Sequence, residues 1–101
     1  MNVKLNFNNT NIEIMNEEQW INCLNDLMDR QMNTAKRHGV IFTVALSSSQ
    51  VRVFIEVHGQ KCQQYFIYHQ ASEAVAKKVI QKLDNYLNSL SNLDTWVRLN
   101  N

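Results

Sequence analysis

Apolar β-branched residues occupy every second position between residues 51 and 57. The positions of one parity are β-branched: Val51, Val53, Ile55 and Val57. The positions between them are aromatic or charged or carry an imidazole: Arg52, Phe54, Glu56 and His58. A period of two is typical of a β-strand with one buried face, because successive side chains point to opposite sides of a sheet. The chain must therefore supply neighbouring strands and an apolar layer to cover this face.

Turn-forming residues border this strand on both sides. Ser47-Ser48-Ser49 precedes it, and Gly59 follows it as the natural glycine of a hairpin. Beyond each turn lies a segment with β-branched and aromatic residues, at positions 40–46 and 62–69. The three segments together predict an antiparallel meander.

Stretches with apolar residues three and four positions apart flank the meander, which predicts a helix on each side. The first helix is predicted from Glu17 to His38, with Asn16 and Gln19 as a capping box and Gly39 as its stop. Its predicted core stripe is Trp20, Ile21, Leu24, Leu27, Met28, Met32 and Ala35. The second helix is predicted to begin after Ser72. Its predicted core stripe is Val75, Val79, Leu83, Tyr86, Leu87 and Leu90, supported by Ala71, Ala74, Ala76 and Ile80.

Both ends of the chain are predicted to belong to the same domain. Residues 3–7 alternate apolar with polar side chains, which predicts a further strand before the first helix. Residues 93–99 include Trp96 and are too apolar for a free end, so this tail is expected to dock on the domain or on a second copy in a homodimer. The prediction is a single α+β domain over residues 1–101 with the order β-α-β-β-β-α. It has an antiparallel meander sheet, two helices packed on one face and a short C-terminal tail.

The composition is that of a folded intracellular protein. Hydrophobic residues make up 45% of the chain and charged residues 19%, which is ordinary for a globular domain. The sequence has neither a leader of the secretory type nor an apolar run long enough to span a membrane, so we expect a cytoplasmic protein without membrane contact. Cys23 and Cys62 have no CxxC spacing and are expected to be buried free thiols.

Side chains suited to catalysis or metal binding occur without a matching motif. The three histidines are His38, His58 and His69, at a predicted helix end, hairpin and strand end. His58 and His69 could approach each other across the hairpin, but further metal ligands have no defined spacing. The sequence contains no GxSxG, HExxH or phosphate-binding loop. We therefore expect a protein that is not an enzyme and that uses no metal or cofactor.

Aromatic and charged side chains on the sheet indicate a binding surface instead. Phe54 shares a strand face with Arg52 and Glu56, and Tyr65 or Tyr68 must face outward from the next strand. Aromatic and arginine side chains are enriched at protein interfaces, and they also stack on nucleic-acid bases. The predicted protein-interface residues are Arg52, Phe54, Glu56, Tyr65 and Trp96. The alternative is that a helix or another subunit covers this face.

The formal net charge of +1 is unevenly divided along the chain. Residues 1–34 carry two basic and five acidic side chains, whereas residues 35–101 carry eight basic and four acidic ones. Only the second part therefore has an excess of positive charge that could attract a polyanion.

The element order resembles that of the ribosome hibernation promoting factors, small domains related in shape to double-stranded RNA-binding domains. Ile12-Glu13-Ile14 looks like the end of the family's opening strand, and residues 74–83 look like its last helix. The resemblance covers residues 3–90 and implies recognition of ribosomal or other structured RNA by shape. The phosphate-contacting residues that it implies are Lys36, Arg37, Lys77, Lys78 and Lys82.

Two functions follow as hypotheses. The first is a small non-catalytic protein that binds and blocks a macromolecular partner, of the immunity-protein or phage-encoded inhibitor class. Its contacts would come from the sheet face, the acidic first helix or the tail. The alternative is a ribosome- or structured-RNA-binding factor that resembles the hibernation promoting factors.

Overall fold

The computed structural model describes residues 13–100, except for the side chains of residues 61, 62 and 91–100. Its elements are α1 (Glu17–Thr34), β1 (Val40–Leu46), β2 (Gln50–Val57), β3 (Gln60–Tyr68) and α2 (Glu73–Asn100). The predicted α+β class and the order of these five elements are confirmed. The further strand predicted at residues 3–7 lies outside the described residues.

The start of α1 follows from the predicted capping box. The Asn16 side chain accepts a hydrogen bond from the Gln19 N–H at 2.8 Å, and the Gln19 side chain accepts one from the Asn16 N–H at 3.0 Å. These bonds satisfy two backbone donors that the first turn would otherwise leave unpaired. The helix ends at Thr34, four residues earlier than predicted, because the chain then tightens into a turn in which Arg37 N–H donates to the Thr34 carbonyl at 2.9 Å.

The three strands form an antiparallel sheet in the order β1-β2-β3. The predicted alternation of buried and outward side chains in β2 is confirmed, since its four β-branched residues are all buried. His58 and Gly59 form the two-residue turn between β2 and β3 with φ angles of 53° and 83°. Positive φ at both central residues is the geometry of the type I′ turn that the hairpin glycine predicts.

Both helices cover the face of the sheet on which the buried β-branched side chains of β2 lie. α1 packs mainly against β1, and α2 packs against β3. Met15 N–H donates to the Ala71 carbonyl at 3.0 Å, and Arg30 binds Asp84 further along, so the two helices run in the same direction. The side chains buried most completely are Leu27, Val51, Val53, Ile55 and Leu83. The predicted packing of two helices on one face is therefore confirmed.

The side of each helix that is buried differs from the predicted core stripe. In α1, Cys23 is buried, whereas Ile21, Met28 and Met32 are 47%, 52% and 70% exposed. In α2, Ala76 is buried in place of Val75. Two adjacent helices need about 20 Å of width, but three strands spaced about 5 Å apart are narrower. Each helix therefore extends past the sheet and leaves part of its apolar side uncovered.

The predicted C-terminal tail is wrong as a separate segment, because α2 continues to Asn100. After Gly59 the chain contains neither proline nor glycine. Nothing after residue 73 therefore imposes a helix stop, and Ser91 and Asn92 are accommodated within the helix. Trp96 belongs to this last part of α2, where side chains are not described.

Alanine should destabilise the protein more at Gly39 than at Gly59. Both glycines have positive φ, at 78° and 83°, where a Cβ costs about 1–2 kcal/mol. At Gly39 a Cβ would also lie 2.5 Å from Nδ1 of His58, whereas nothing lies within 4 Å of one at Gly59. We therefore expect Gly39→Ala to lower the free energy of unfolding by about 1 kcal/mol more than Gly59→Ala, as measured by urea denaturation. Equal losses would show that the His58 ring turns away without cost.

Candidate functional site

The face of the sheet opposite the helices has no covering layer in the part of the chain that the structure describes. We call it the outer sheet face. Its members follow from the strand register and are Ile41, Thr43, Ala45, Arg52, Phe54, Glu56, Gln64, Phe66 and Tyr68. The register places the side chains of directly paired residues on the same side of the sheet. Residues from all three strands therefore form one surface.

Arg52 lies at the centre of the outer sheet face. Its backbone pairs with Ala45 on one side and with Phe66 on the other. Its guanidinium carbon lies 4.3 Å from the centroid of the Phe54 ring, a cation–π contact. Its Nε is buried and has no hydrogen-bond partner among the described residues. The positive group is thus held in place by an aromatic ring, with a buried donor left unsatisfied.

Exposed apolar side chains share the outer sheet face with this arginine. Phe66 is 39% exposed, and Tyr68 and Ile41 are each 55% exposed. Glu56 lies on the same strand as Arg52 and pairs with Ile41, so the surface also carries a negative group near its edge. An apolar surface with a central arginine and a charged edge has the composition of a protein interface.

Tyr65 does not belong to this surface, although the sequence analysis assigned it to the interface. It pairs with Val53 and packs half-buried against the core on the helix side, where burial raises the pKa of its hydroxyl. The cause is a β-bulge next to Ile55, which inserts one extra residue into β3. Without the bulge, the regular hairpin from Gly59 would pair Tyr65 with Arg52 on the outer side. Phe66 and Tyr68 take the outward positions instead.

The basic residues implied by the family resemblance lie just after α1 and along α2. Lys36, Lys77, Lys78 and Lys82 are exposed, while Arg37 donates from Nη1 to the Leu87 carbonyl at 3.2 Å. Lys78 and Lys82 lie one turn apart on the exposed side of α2. Lys77 is 4.0 Å from Glu73. Ten residues of α2, about 15 Å, separate Lys77 from the Leu87 carbonyl that binds Arg37.

The histidines occupy separate places, so the predicted approach of His58 and His69 is wrong. His58 lies in the turn that begins β3, and His69 follows the other end of β3. The strand between them spans nine residues, or about 30 Å. His69 stacks on Trp20 with ring centroids 4.9 Å apart and planes inclined by 20°. Within the described residues, no three His, Cys, Asp or Glu side chains are grouped so that they could hold a metal ion.

A cleft of about 380 Å³ lies between the helices. It is lined by Arg30, Asn33, Thr34, Arg37, Asp84, Leu87 and Asn88. Arg30 donates from Nε and Nη2 to the two carboxylate oxygens of Asp84 at 2.8 and 2.9 Å, and this hydrogen bonding raises the pKa of Arg30. Its Nη1 donates to the Asp26 carbonyl. Arg30 thus joins the helices across the cleft and uses all three of its nitrogens to do so.

Because of Cys23, the free energy of unfolding should vary with pH in the alkaline range. Burial, and secondarily the nearby charge of Asp26, raises the pKa of its thiol above the ordinary value of 9.0. The unfolded thiol therefore ionises first as the pH rises. The contribution of this thiol to the free energy of unfolding is fully present below pH 9. It is lost as the pH rises through the higher pKa of the folded state. We expect denaturation midpoints to fall above pH 9 and to fall less in Cys23→Ala, which lacks the thiol but keeps the similar contribution of Tyr65. An identical decline in both proteins would contradict this.

No protein-family model matches the chain, and neither the curated proteins nor the solved structures contain a similar protein at a significant level. The resemblance to hibernation promoting factors thus stays a prediction. None of the helices, over the residues that the structure describes, combines the length and apolar character needed to cross a membrane.

Proposed function

We propose that this chain is a non-catalytic binding protein that recognises a partner protein through the outer sheet face. The observation that carries the proposal is the Arg52 side chain, stacked on Phe54 with a buried and unsatisfied Nε. A buried donor without a partner costs about 1–3 kcal/mol. A partner that draws the guanidinium outward to an acceptor on its own surface would recover part of that cost.

The chemistry of the surface defines the kind of partner. A carboxylate fits Arg52, because arginine forms short charge-assisted hydrogen bonds with carboxylates. Apolar side chains around that carboxylate fit Phe66 and Tyr68, which are exposed beside the arginine, and Ile41, which is exposed further along the same face. The partner surface that we propose therefore carries an aspartate or glutamate within an apolar rim.

The form of the surface supports the proposal of an inhibitor or antagonist role. The outer sheet face lies on strands that are hydrogen-bonded along their length, so binding requires little ordering of the backbone. Such a preformed face can occupy a partner's own binding surface without changing shape. We therefore propose that the protein acts by covering its partner.

The alternative is binding of ribosomal or other structured RNA. It is favoured by Lys78 and Lys82, which are exposed one turn apart on α2. Phosphate contacts from these residues and from Lys36 would carry affinity but little sequence information. If about four phosphates are neutralised, the slope of log affinity against log salt should be near −3.

Affinity capture from native lysate, with and without nuclease, separates the two proposals. We expect the protein to retain one stoichiometric partner protein after nuclease treatment. Arg52→Ala should lose that partner, whereas the double substitution Lys78→Ala and Lys82→Ala should keep it. The lysine variant removes positive charge from exposed side chains of α2, and Arg52→Ala removes it from a half-buried side chain of the sheet.

The opposite pattern would overturn the proposal. Material that disappears on nuclease treatment, and that the lysine variant fails to capture, would identify RNA as the partner. A partner protein that Arg52→Ala captures as well as the native protein does would place the interface elsewhere on the molecule.

A further inference from the structure

One side of α1 carries an apolar stripe that nothing in the described structure covers. Ile21, Met28 and Met32 fall within about 40° of each other around the helix, at 100° per residue, and about half or more of each side chain is exposed. Arg30, two residues and thus about 200° from Met28, faces α2 through its bond to Asp84. The stripe therefore faces away from α2. We call it the α1 flank.

The α1 flank lies beside a free strand edge. α1 packs on β1, and β1 pairs only with β2 among the described strands. One side of β1 thus presents backbone N–H and C=O groups that no described strand pairs, and one of them, the Phe42 carbonyl, accepts a hydrogen bond from Gln31 Nε2 at 3.0 Å. Edge strands of this kind readily pair with another chain unless something protects them.

The charges along α1 are complementary to a reversed copy of the same helix. Glu17 and Glu18 begin the helix, and Lys36 follows its end. Glu18 lies in the first turn of α1, and Lys36 lies two residues beyond Thr34, the last residue of the helix. Their midpoint is residue 27, next to Met28. A two-fold axis at that point would bring each acidic end beside a basic end.

We propose that a second copy of the chain binds at this edge. Two β1 strands pair antiparallel about Thr43 and continue the sheet to six strands, and the Phe42 carbonyl exchanges its hydrogen bond from Gln31 for one from the strand of the second copy. The two α1 helices lie antiparallel beside each other, with their flanks in contact and Glu18 facing Lys36 of the second copy. This is an isologous interface, in which each copy contributes the same surface.

Antiparallel pairing suits the backbone as well as the side chains. The positive start of each α1 lies next to the negative end of the other helix, which is the favourable arrangement of two helix dipoles. The dimer uses the α1 flank and the backbone edge of β1, whereas the proposed function uses outward side chains of the sheet around Arg52, so the dimer does not depend on the proposed function. The outer sheet faces of the two copies would lie side by side.

Sedimentation equilibrium of the full chain tests this proposal. We expect the native protein to be dimeric at micromolar concentration and Met28→Glu to weaken the dimer about 30-fold, the loss typical of a central interface residue. Val75→Glu is the matched control, since Val75 is 49% exposed on α2. It should leave the dimer unchanged. Circular dichroism should show that both variants fold.

Charge reversal tests the orientation of the two copies. Glu18→Lys or Lys36→Glu alone should weaken the dimer, and the two together should restore it. Failure of the double variant to recover, with both single variants weakened, would exclude the antiparallel arrangement.

The other candidate for this surface is the chain's own segment of residues 3–7. If that segment covers the α1 flank, the native protein will be monomeric, and Leu5→Glu with Phe7→Glu will make it self-associate. That result would overturn the dimer, as would a native protein that remains monomeric at all concentrations.

Discussion

Leu83→Ala is expected to lower the free energy of unfolding by about 2–5 kcal/mol, the range for a buried leucine reduced to alanine. Leu83 is completely buried on the side of α2 that meets the sheet. Removing its branched end leaves a cavity lined by strand residues that are held by the hydrogen bonds of the sheet. Since the free energy of unfolding of a small domain is about 5–15 kcal/mol, this single change should remove a large fraction of it.

Urea denaturation of Leu83→Ala and of Val75→Ala measures this effect. Val75 lies on the same helix but is about half exposed, so its substitution should cost less than about 0.5 kcal/mol beyond the change in helix propensity. Similar losses in the two variants would mean that α2 is rotated differently about its axis.

Trp20→Ala is expected to destabilise the protein by about 3–5 kcal/mol, as for other buried aromatic residues. Trp20 is buried at the start of α1, and its ring stacks on His69 just beyond β3. It therefore ties the first helix to the far end of the sheet. Loss of the indole removes both a large buried area and this stacking contact.

Thermal unfolding followed by circular dichroism checks this prediction, with Trp20→Phe as the control. Phenylalanine keeps an aromatic ring opposite His69, so we expect it to recover more than half of the loss. His69→Ala should cost less than Trp20→Ala, because His69 is only partly buried. A loss below 1 kcal/mol for Trp20→Ala would contradict the packing of α1 described above.

Much of the fold could be predicted because its local signals agree with its packing. Asn16 and Gln19 define the start of α1, the four β-branched residues of β2 define its buried side, and Gly59 defines the hairpin. Each signal acts over a few residues, so it can be read without knowing which elements meet. The outward placement of Arg52, Phe54 and Glu56 follows from the same alternation.

The features that sequence reasoning missed depend on geometry between elements. The bulge beside Ile55 exchanges the inward and outward positions in the rest of β3. Tyr65 therefore points inward, and Phe66 and Tyr68 point outward. No glycine or proline marks that position in β3. The exposed α1 flank is equally hidden, because apolar spacing defines a stripe but not how much of it a narrow sheet can cover.

The most direct test of the central claim is a titration of the captured partner protein with Arg52→Ala by calorimetry. We predict that this substitution weakens binding at least about 30-fold, as expected for a hot-spot arginine, while Lys78→Ala changes it less than about twofold. Circular dichroism must show that both variants keep the native fold. Unchanged affinity in folded Arg52→Ala would contradict a partner-binding role for the outer sheet face.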